Sequence, residues 1–196
     1  MATEGFFIKT ANLFITPQFD SDKHKGVWSA PWLIELREGK EKKGVIGKAE
    51  FGGIPVKGDV SLSLAIDDKY KNNGYATEVL KSLVEFAFMQ KDVYEIHADV
   101  DTENDAAVKV LNRLGFVFRT GDRKTEHYSI IKPPTVWAGV YLVIGIVTGL
   151  ALGIVFANVL VGFLAGIIIA IFSGAVLDTK AKEHRERVTG KKMTRD

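Results

Sequence analysis

The segment Ile66-Asp67-Asp68-Lys69-Tyr70-Lys71-Asn72-Asn73-Gly74-Tyr75-Ala76-Thr77-Glu78 passes from alternating apolar residues into helical spacing, with Gly74 at the turn. A helix starting here presents backbone amides without intrahelical partners, and its dipole adds partial positive charge. Such a turn can hold a phosphate or pyrophosphate through the main chain alone. One glycine in a strand-to-helix turn is more often an ordinary structural turn than a site. The junction therefore needs a second motif before it reads as a site. No cysteine occurs, which excludes a thiolate nucleophile, a thiolate zinc site and a disulfide framework, and fits a reducing compartment.

The elements around the junction follow from periodicity. Val60, Leu62, Leu64 and Ile66 alternate with Ser61, Ser63 and Ala65, a period-2 strand. From Gly74, Ala76, Val79, Leu80, Leu83, Phe86 and Ala87 recur at three and four residues, an amphipathic helix ending near Gln90. Upstream, residues 5–16 read as one strand, Trp32 to Arg37 as a second, and Val45 to Phe51 as its hairpin partner across a polar turn. Downstream, Tyr94 to Val100 is a strand. A helix over about Asn104 to Leu114 stops at Gly115, and strands follow at Phe116 to Thr120 and His127 to Ile131. The formal charge of +2, with no basic cluster interleaved with aromatics, excludes nucleic acid as a partner.

The second motif is present. Lys71-x-x-Gly74-x-Ala76 resembles the Arg/Gln-x-x-Gly-x-Gly/Ala loop of the GNAT superfamily, with lysine at the first position. Gly74-Tyr75-Ala76-Thr77-Glu78 is similar in wording to the branch that includes ribosomal-protein N-terminal acetyltransferases. Asn104-x-x-Ala107, Leu111 and Leu114-Gly115-Phe116 lie where that branch has its Asn-x-x-Ser and Leu-Gly-Phe. The resemblance extends over about Ile8 to Lys132. It implies an α+β fold, a mixed and mostly antiparallel twisted sheet flanked by helices. It also implies acetyl-CoA as cosubstrate, with the pyrophosphate on the amides of Lys71, Asn72, Asn73, Gly74, Tyr75 and Ala76 and the pantetheine arm beside Leu64, Ala65 and Ile66. Asn104 is carried over as a polar contact near that arm, and equally reads as the cap of its helix. No metal is implied.

Amine acetylation needs a neutral amine, a stabilised oxyanion and a proton for the leaving thiolate. Many members of the branch carry a Glu-Ile-Gly-Tyr-like stretch whose glutamate can act as base; here it is Ser61-Leu62-Ser63-Leu64. The tyrosine that some members use as acid is Leu111, the motif serine is Ala107, and a Thr-Glu-Arg-Leu-like signature reads Thr10-Ala11-Asn12-Leu13. Ser61 or Ser63 can position a water. His97 and Asp99, of one parity on their strand, and Glu78 are the other candidate proton acceptors, each with an ordinary structural reading: an exposed or hydrogen-bonded strand residue, or an acid favouring a helix start. Catalysis by positioning needs none of them.

Val136 to Leu177 contains no Asp, Glu, Lys, Arg or His. As one helix this 42-residue run would reach roughly 63 Å, about twice a hydrocarbon core. Two transmembrane helices fit, about Val136 to Phe156 and Val159 to Leu177, reversing at Ala157 and Asn158, with Trp137 and Tyr141 near the interface. Lys180, Lys182, Arg185, Arg187, Lys191, Lys192 and Arg195 outnumber four acids in the tail, which predicts a cytosolic C-terminus and, with two spans, a cytosolic N-terminal domain. The start of the chain lacks the pattern of a secretory signal. Gly145, Gly149, Gly153, Gly162 and Gly166 form small-residue faces suited to packing the hairpin, or to joining a second copy or another membrane protein.

The expected organisation is a GNAT-like acyl-CoA-binding domain over 1–132, a transmembrane hairpin over 133–177 and a basic cytosolic tail over 178–196. The expected function is a membrane-anchored N-acetyltransferase acting on a primary amine of a protein N-terminus, a lysine or a small molecule, in contact with membrane lipid. The alternative is a catalytically silent acyl-CoA sensor or interaction module in a membrane complex. Acetyl-CoA binding with or without turnover separates the two.

Overall fold

A computed structural model describes residues 6–19, 26–39, 41–134, 137–155 and 157–190. The chain divides into two compact units, Met1–Lys132 and Pro133–Asp196.

The first unit is a single sheet with helices. Its elements are β1 (Ile8–Lys9), β2 (Leu13–Pro17), β3 (Trp32–Glu38), β4 (Glu41–Phe51), β5 (Asp59–Ile66), α1 (Tyr75–Met89), β6 (Glu95–Asp101), α2 (Asp105–Arg113), β7 (Val117–Gly121) and β8 (Thr125–Ile131). The strand order is β1-β2-β3-β4-β5-β6-β8-β7, and every neighbouring pair is antiparallel except β5 and β6. The α+β class and the mixed sheet agree with the sequence reading.

The apolar period of α1 buries Val79, Leu80, Leu83, Val84 and Ala87. Against them lie the inward residues of the sheet, among them Ile15, Trp32, Ile34, Ile46, Val60, Leu62 and Ile96. Each buried aliphatic side chain of this kind contributes about 1.5–3 kcal/mol. Phe86 adds a ring 5.2 Å from that of Trp32. Helix α2 ends in a Schellman arrangement: Phe116 N–H donates to Leu111 O (3.0 Å), Gly115 N–H to Asn112 O (3.1 Å), and Gly115 has φ +87°.

One strand over 5–16 is not what forms. The chain turns between β1 and β2, where Thr10 Oγ1 accepts from Leu13 N–H and the Arg37 guanidinium donates to Thr10 O (2.6 Å) and Ala11 O (3.0 Å). These partners lie 26 and 27 residues away, beyond the reach of local periodicity.

The second unit is two helices, α3 (Trp137–Val155) and α4 (Val159–Thr189). The chain reverses at Ala157, with φ +55°, and Asn158, whose Oδ1 accepts from Val161 N–H (3.2 Å). The glycines face one another. A Cβ on Gly145 would stand 2.4 Å from Gly166 O, and one on Gly149 2.5 Å from Gly162 O, so neither position admits a side chain. Helix α4 is long and apolar enough to cross a membrane; the apolar part of α3, Gly139–Val155, is shorter. Helix α4 does not stop at Leu177 but runs on to Thr189, where Gly190 (φ +68°) ends it. Val136, Phe156, Lys191, Lys192 and Arg195 lie outside the described residues, as does the side chain of Trp137.

Candidate active site

The parallel pair β5 and β6 is joined over three residues only: Asp59 opposite Glu95, Val60 opposite Ile96 and Ser61 opposite His97. Beyond Ser61 and His97 the strands part, yet neither frays. Leu62 to Ile66 stay paired to β4, and Ala98 to Asp101 to β8. The sheet therefore opens into a cleft of 360 Å³. Its walls are apolar, with Leu62, Leu64 and Ile66 on one side and Ala98, Val100, Ala107 and Leu111 on the other. Half the backbone groups of β5 beyond Ser61 lack the partners that β6 would supply, so an extended polar ligand can pair with them as an added strand.

The cleft ends on residues 70–72 and 74–77. Gly74 caps α1 with φ +80° and ψ −3°, and Asn72 also has a positive φ, +62°. Left-handed residues spaced in this way bend successive amides into a concavity for anions. Among the described residues the amides from Asn72 to Thr77 donate to no protein acceptor, whereas Glu78 N–H closes the first helical turn on Gly74 O (3.1 Å). A Cβ on Gly74 would meet nothing within 4 Å. Glycine is required there by the backbone angle, not by crowding.

Of the predicted cofactor-binding residues, Leu64, Ile66, Lys71, Asn72, Gly74, Tyr75, Ala76 and Asn104 line the cleft, and Ala65 and Asn73 do not. Ala65 has the opposite strand parity. Asn73 braces the loop, its Nδ2 donating to Tyr70 O (3.1 Å) and Lys71 O (3.0 Å). The Lys71 ammonium pairs with Asp68 at 2.5 Å; its hydrogen bond and charge hold that carboxyl below the usual aspartate value. Asn104 caps α2, its Oδ1 accepting from Ala107 N–H (3.1 Å), while standing in the cleft wall.

The candidate proton acceptors separate. Glu78 is outside the cleft lining, and its two oxygens accept from Asn12 N–H (2.8 Å) and Asn12 Nδ2 (3.0 Å). Burial pushes its carboxyl up, but hydrogen bonds from Thr10, Asn12 and Ala11 outweigh that and leave it below the usual glutamate value. These hydrogen bonds make Glu78 a clamp on the β1–β2 turn. Asp99 lines the cleft, and its Oδ1 lies 2.7 Å from His127 Nδ1, accepting from it in the tautomer that carries the proton there. Ser61 and His97 sit together where the strands part. They line a separate cavity of 200 Å³ with Gly52, Gly53, Ile54, Val56, Val60 and Asp59. Gly52 approaches so closely that a Cβ on it would be 2.0 Å from Ser61 Oγ.

Sequence reasoning missed Asp59 and His127. Asp59 precedes the alternating run by one residue and joins Ser61 on one strand face only because β5 starts there. No local pattern marks His127 as the partner of Asp99, 28 residues away.

Residues 6–117 match the family described as the acetyltransferase (GNAT) domain. The chain therefore belongs to the GNAT acetyltransferase domain family. It is 31% identical over 113 residues to the uncharacterized N-acetyltransferase YoaA of Bacillus subtilis, covering 52% of this chain and 62% of that protein. With the spermidine N(1)-acetyltransferase of Escherichia coli K12 it shares 26% identity over 76 residues, 39% of this chain and 40% of that one. The chain thus spans less than two thirds of these relatives. The crystal structure of a GNAT-family acetyltransferase from Bacillus anthracis superimposes with a TM-score of 0.53 at 17% identity, covering 65% of this chain and 99% of that one. That likeness is one of fold.

Proposed function

We propose that the chain is a membrane-anchored N-acetyltransferase that moves the acetyl group of acetyl-CoA to a primary amine. The observation that carries this reading is the β5–β6 cleft, apolar along its length and ending on the free amides of the α1 start. Those features match the two ends of the cosubstrate. An apolar-walled slot with unpaired strand edges suits the amide-bearing pantetheine arm, and the amides near Gly74 suit the pyrophosphate. The thioester then lies toward Ser61 and His97, with His97 as the group able to take the amine's proton. The names of relatives, including a spermidine acetyltransferase, favour an amine acceptor.

Calorimetry with acetyl-CoA, followed by thiol release against a panel of peptide N-termini, lysine and polyamines, tests the reading. Binding with turnover is expected. Binding without turnover would identify a silent acyl-CoA sensor or interaction module, the reading favoured by serines where the branch has its glutamate. No binding would exclude both.

The anchor is proposed as a two-span hairpin with both ends cytosolic. Exposed apolar side chains cover it: Val143, Ile144, Ile154, Leu160, Ile168 and Phe172 are all at least half exposed, a surface that water does not support. A C-terminal reporter is expected to stay cytosolic; protease cleavage of the tail from outside intact cells would refute the topology.

A further inference from the structure

We propose that the end of the first unit from which the chain runs on to α3 docks on anionic lipid headgroups, so that the domain rests on the membrane as well as being tethered to it. This rests on the anchored reading above. Three segments meet at that end: the β4–β5 loop over 52–58, the α1–β6 connection over 90–94, and the end of β8 at Ile131 with Lys132. Gly58 O accepts from Tyr94 N–H (2.8 Å) and Glu95 N–H (3.0 Å), and Lys132 N–H donates to Tyr94 O (2.8 Å). The Lys132 ammonium donates to Gln90 O (2.9 Å), closing the strand exit onto the end of α1. The three segments form one braced rim.

The rim carries an unusual surface. Among the described residues of the first unit, Met89 (78% exposed), Ile54 (77%) and Val56 (69%) are the three most exposed large apolar side chains, and all three stand here. Ile131 adds a fourth. A lysine follows close behind: Lys57 after Val56, Lys91 two residues after Met89, and Lys132 after Ile131. Lys57 and Lys91 are exposed and, among the described residues, enter no ion pair. The acids at this end are Asp59, Asp92 and Glu95, and Glu95 lies 3.7 Å from the Arg119 guanidinium. Apolar side chains set among lysines suit the boundary between headgroup and acyl chain. The apolar groups enter the boundary while the ammonium groups stay with the phosphates.

The tether selects lipid as the occupant. Lys132 and Trp137, the first residue of α3, are five residues apart in sequence, a span of at most ~18 Å. The 15 residues of α1, which run from the Gly74 loop back to the rim, extend over ~22 Å. A helix entering the bilayer at Trp137 therefore brings the rim, and not the Gly74 loop, to the headgroups. So short a tether presents the rim to lipid at high effective concentration, and a few side chains suffice to dock it. The amides near Gly74 are then left in water, on the side from which acetyl-CoA arrives.

The full chain in lipid nanodiscs provides the test. Because the sequence has no cysteine, Ile54→Cys, Met89→Cys and Lys124→Cys each carry a single fluorescent label, the last in the β7–β8 turn at the opposite end. Spin-labelled lipid in discs containing phosphatidylserine is expected to quench the labels at 54 and 89 and to spare the label at 124. Replacing Lys57 and Lys91 by glutamine should weaken docking about fivefold for each lysine, and discs of phosphatidylcholine alone should do the same. Equal quenching at the three positions, or none at 54 and 89 in a chain that has entered the discs, would overturn the docking and leave the anchor standing. Labels at 54 and 89 shielded from water but unquenched, and only in discs holding two copies, would show a second copy on the rim and overturn the lipid assignment. A chain that does not enter the discs overturns the anchored reading and the docking together. Should Ile54→Cys fail to fold, Val56→Cys takes its place with the same outcomes.

Discussion

At the scale of single residues, Gly74 and Glu78 make opposite demands on the start of α1. Gly74 is open space with a left-handed backbone, a conformation that asparagine tolerates better than other non-glycine residues. Gly74→Asn is therefore expected to fold with a loss of about 1 kcal/mol, whereas Gly74→Asp adds negative charge beside the anion-binding amides. Calorimetry should show acetyl-CoA affinity falling at least tenfold further in the aspartate variant; equal affinities would show that the loop holds no anion. Glu78 makes a different kind of prediction. Its carboxyl is lowered in the folded state, so its contribution is present above the unfolded value near 4.5 and is lost as pH falls through the folded value. Glu78→Gln should cost about 1 kcal/mol in urea unfolding at neutral pH, and the gap to wild type should close in that acid window.

At the scale of elements, two close approaches govern the architecture. Gly47 on β4 lies opposite Ile66 on β5, and a Cβ there would stand 2.3 Å from Ala65 O. Gly47→Val must push β4 from β5 and so displace one wall of the cleft. A loss of about 3 kcal/mol is expected in thermal unfolding, together with weakened acetyl-CoA binding. In the hairpin, a Cβ on Gly166 would be 2.2 Å from Gly145 O. Gly166→Val should lower the melting temperature of the α3–α4 pair in detergent micelles, while a substitution at Gly139, where a Cβ meets nothing within 4 Å, should leave it unchanged. Elements with a strong internal period were legible in advance: α1 from its apolar spacing, β5 from strict alternation, α2 from its asparagine cap and terminal glycine. The β1–β2 turn was not, because Arg37 and Glu78 hold it from distant parts of the chain. The end of α4 was missed for the opposite reason. Hydropathy marks where apolar residues stop, and the helix continues through Lys180, Lys182, Arg185 and Arg187 because those residues favour helix too.

For the whole molecule, a resemblance carried by two short motifs was enough to anticipate the class of fold and the cleft. It was not enough to rank the candidate acid–base groups. Those depend on which residues of β5 and β6 stand side by side, and a three-residue parallel register leaves no mark in either strand. That same register has a thermodynamic consequence. The first unit is two half-sheets, β1 to β5 and β6 to β8, stitched at one end and open at the other. Acetyl-CoA entering the gap would act as the absent stretch of ladder, so ligand and fold would share one cooperative transition. At a hundredfold excess over Kd, binding adds about 2.7 kcal/mol to the folded state. In amide exchange the two halves should then lose protons at different rates when free and at a common, slower rate when bound.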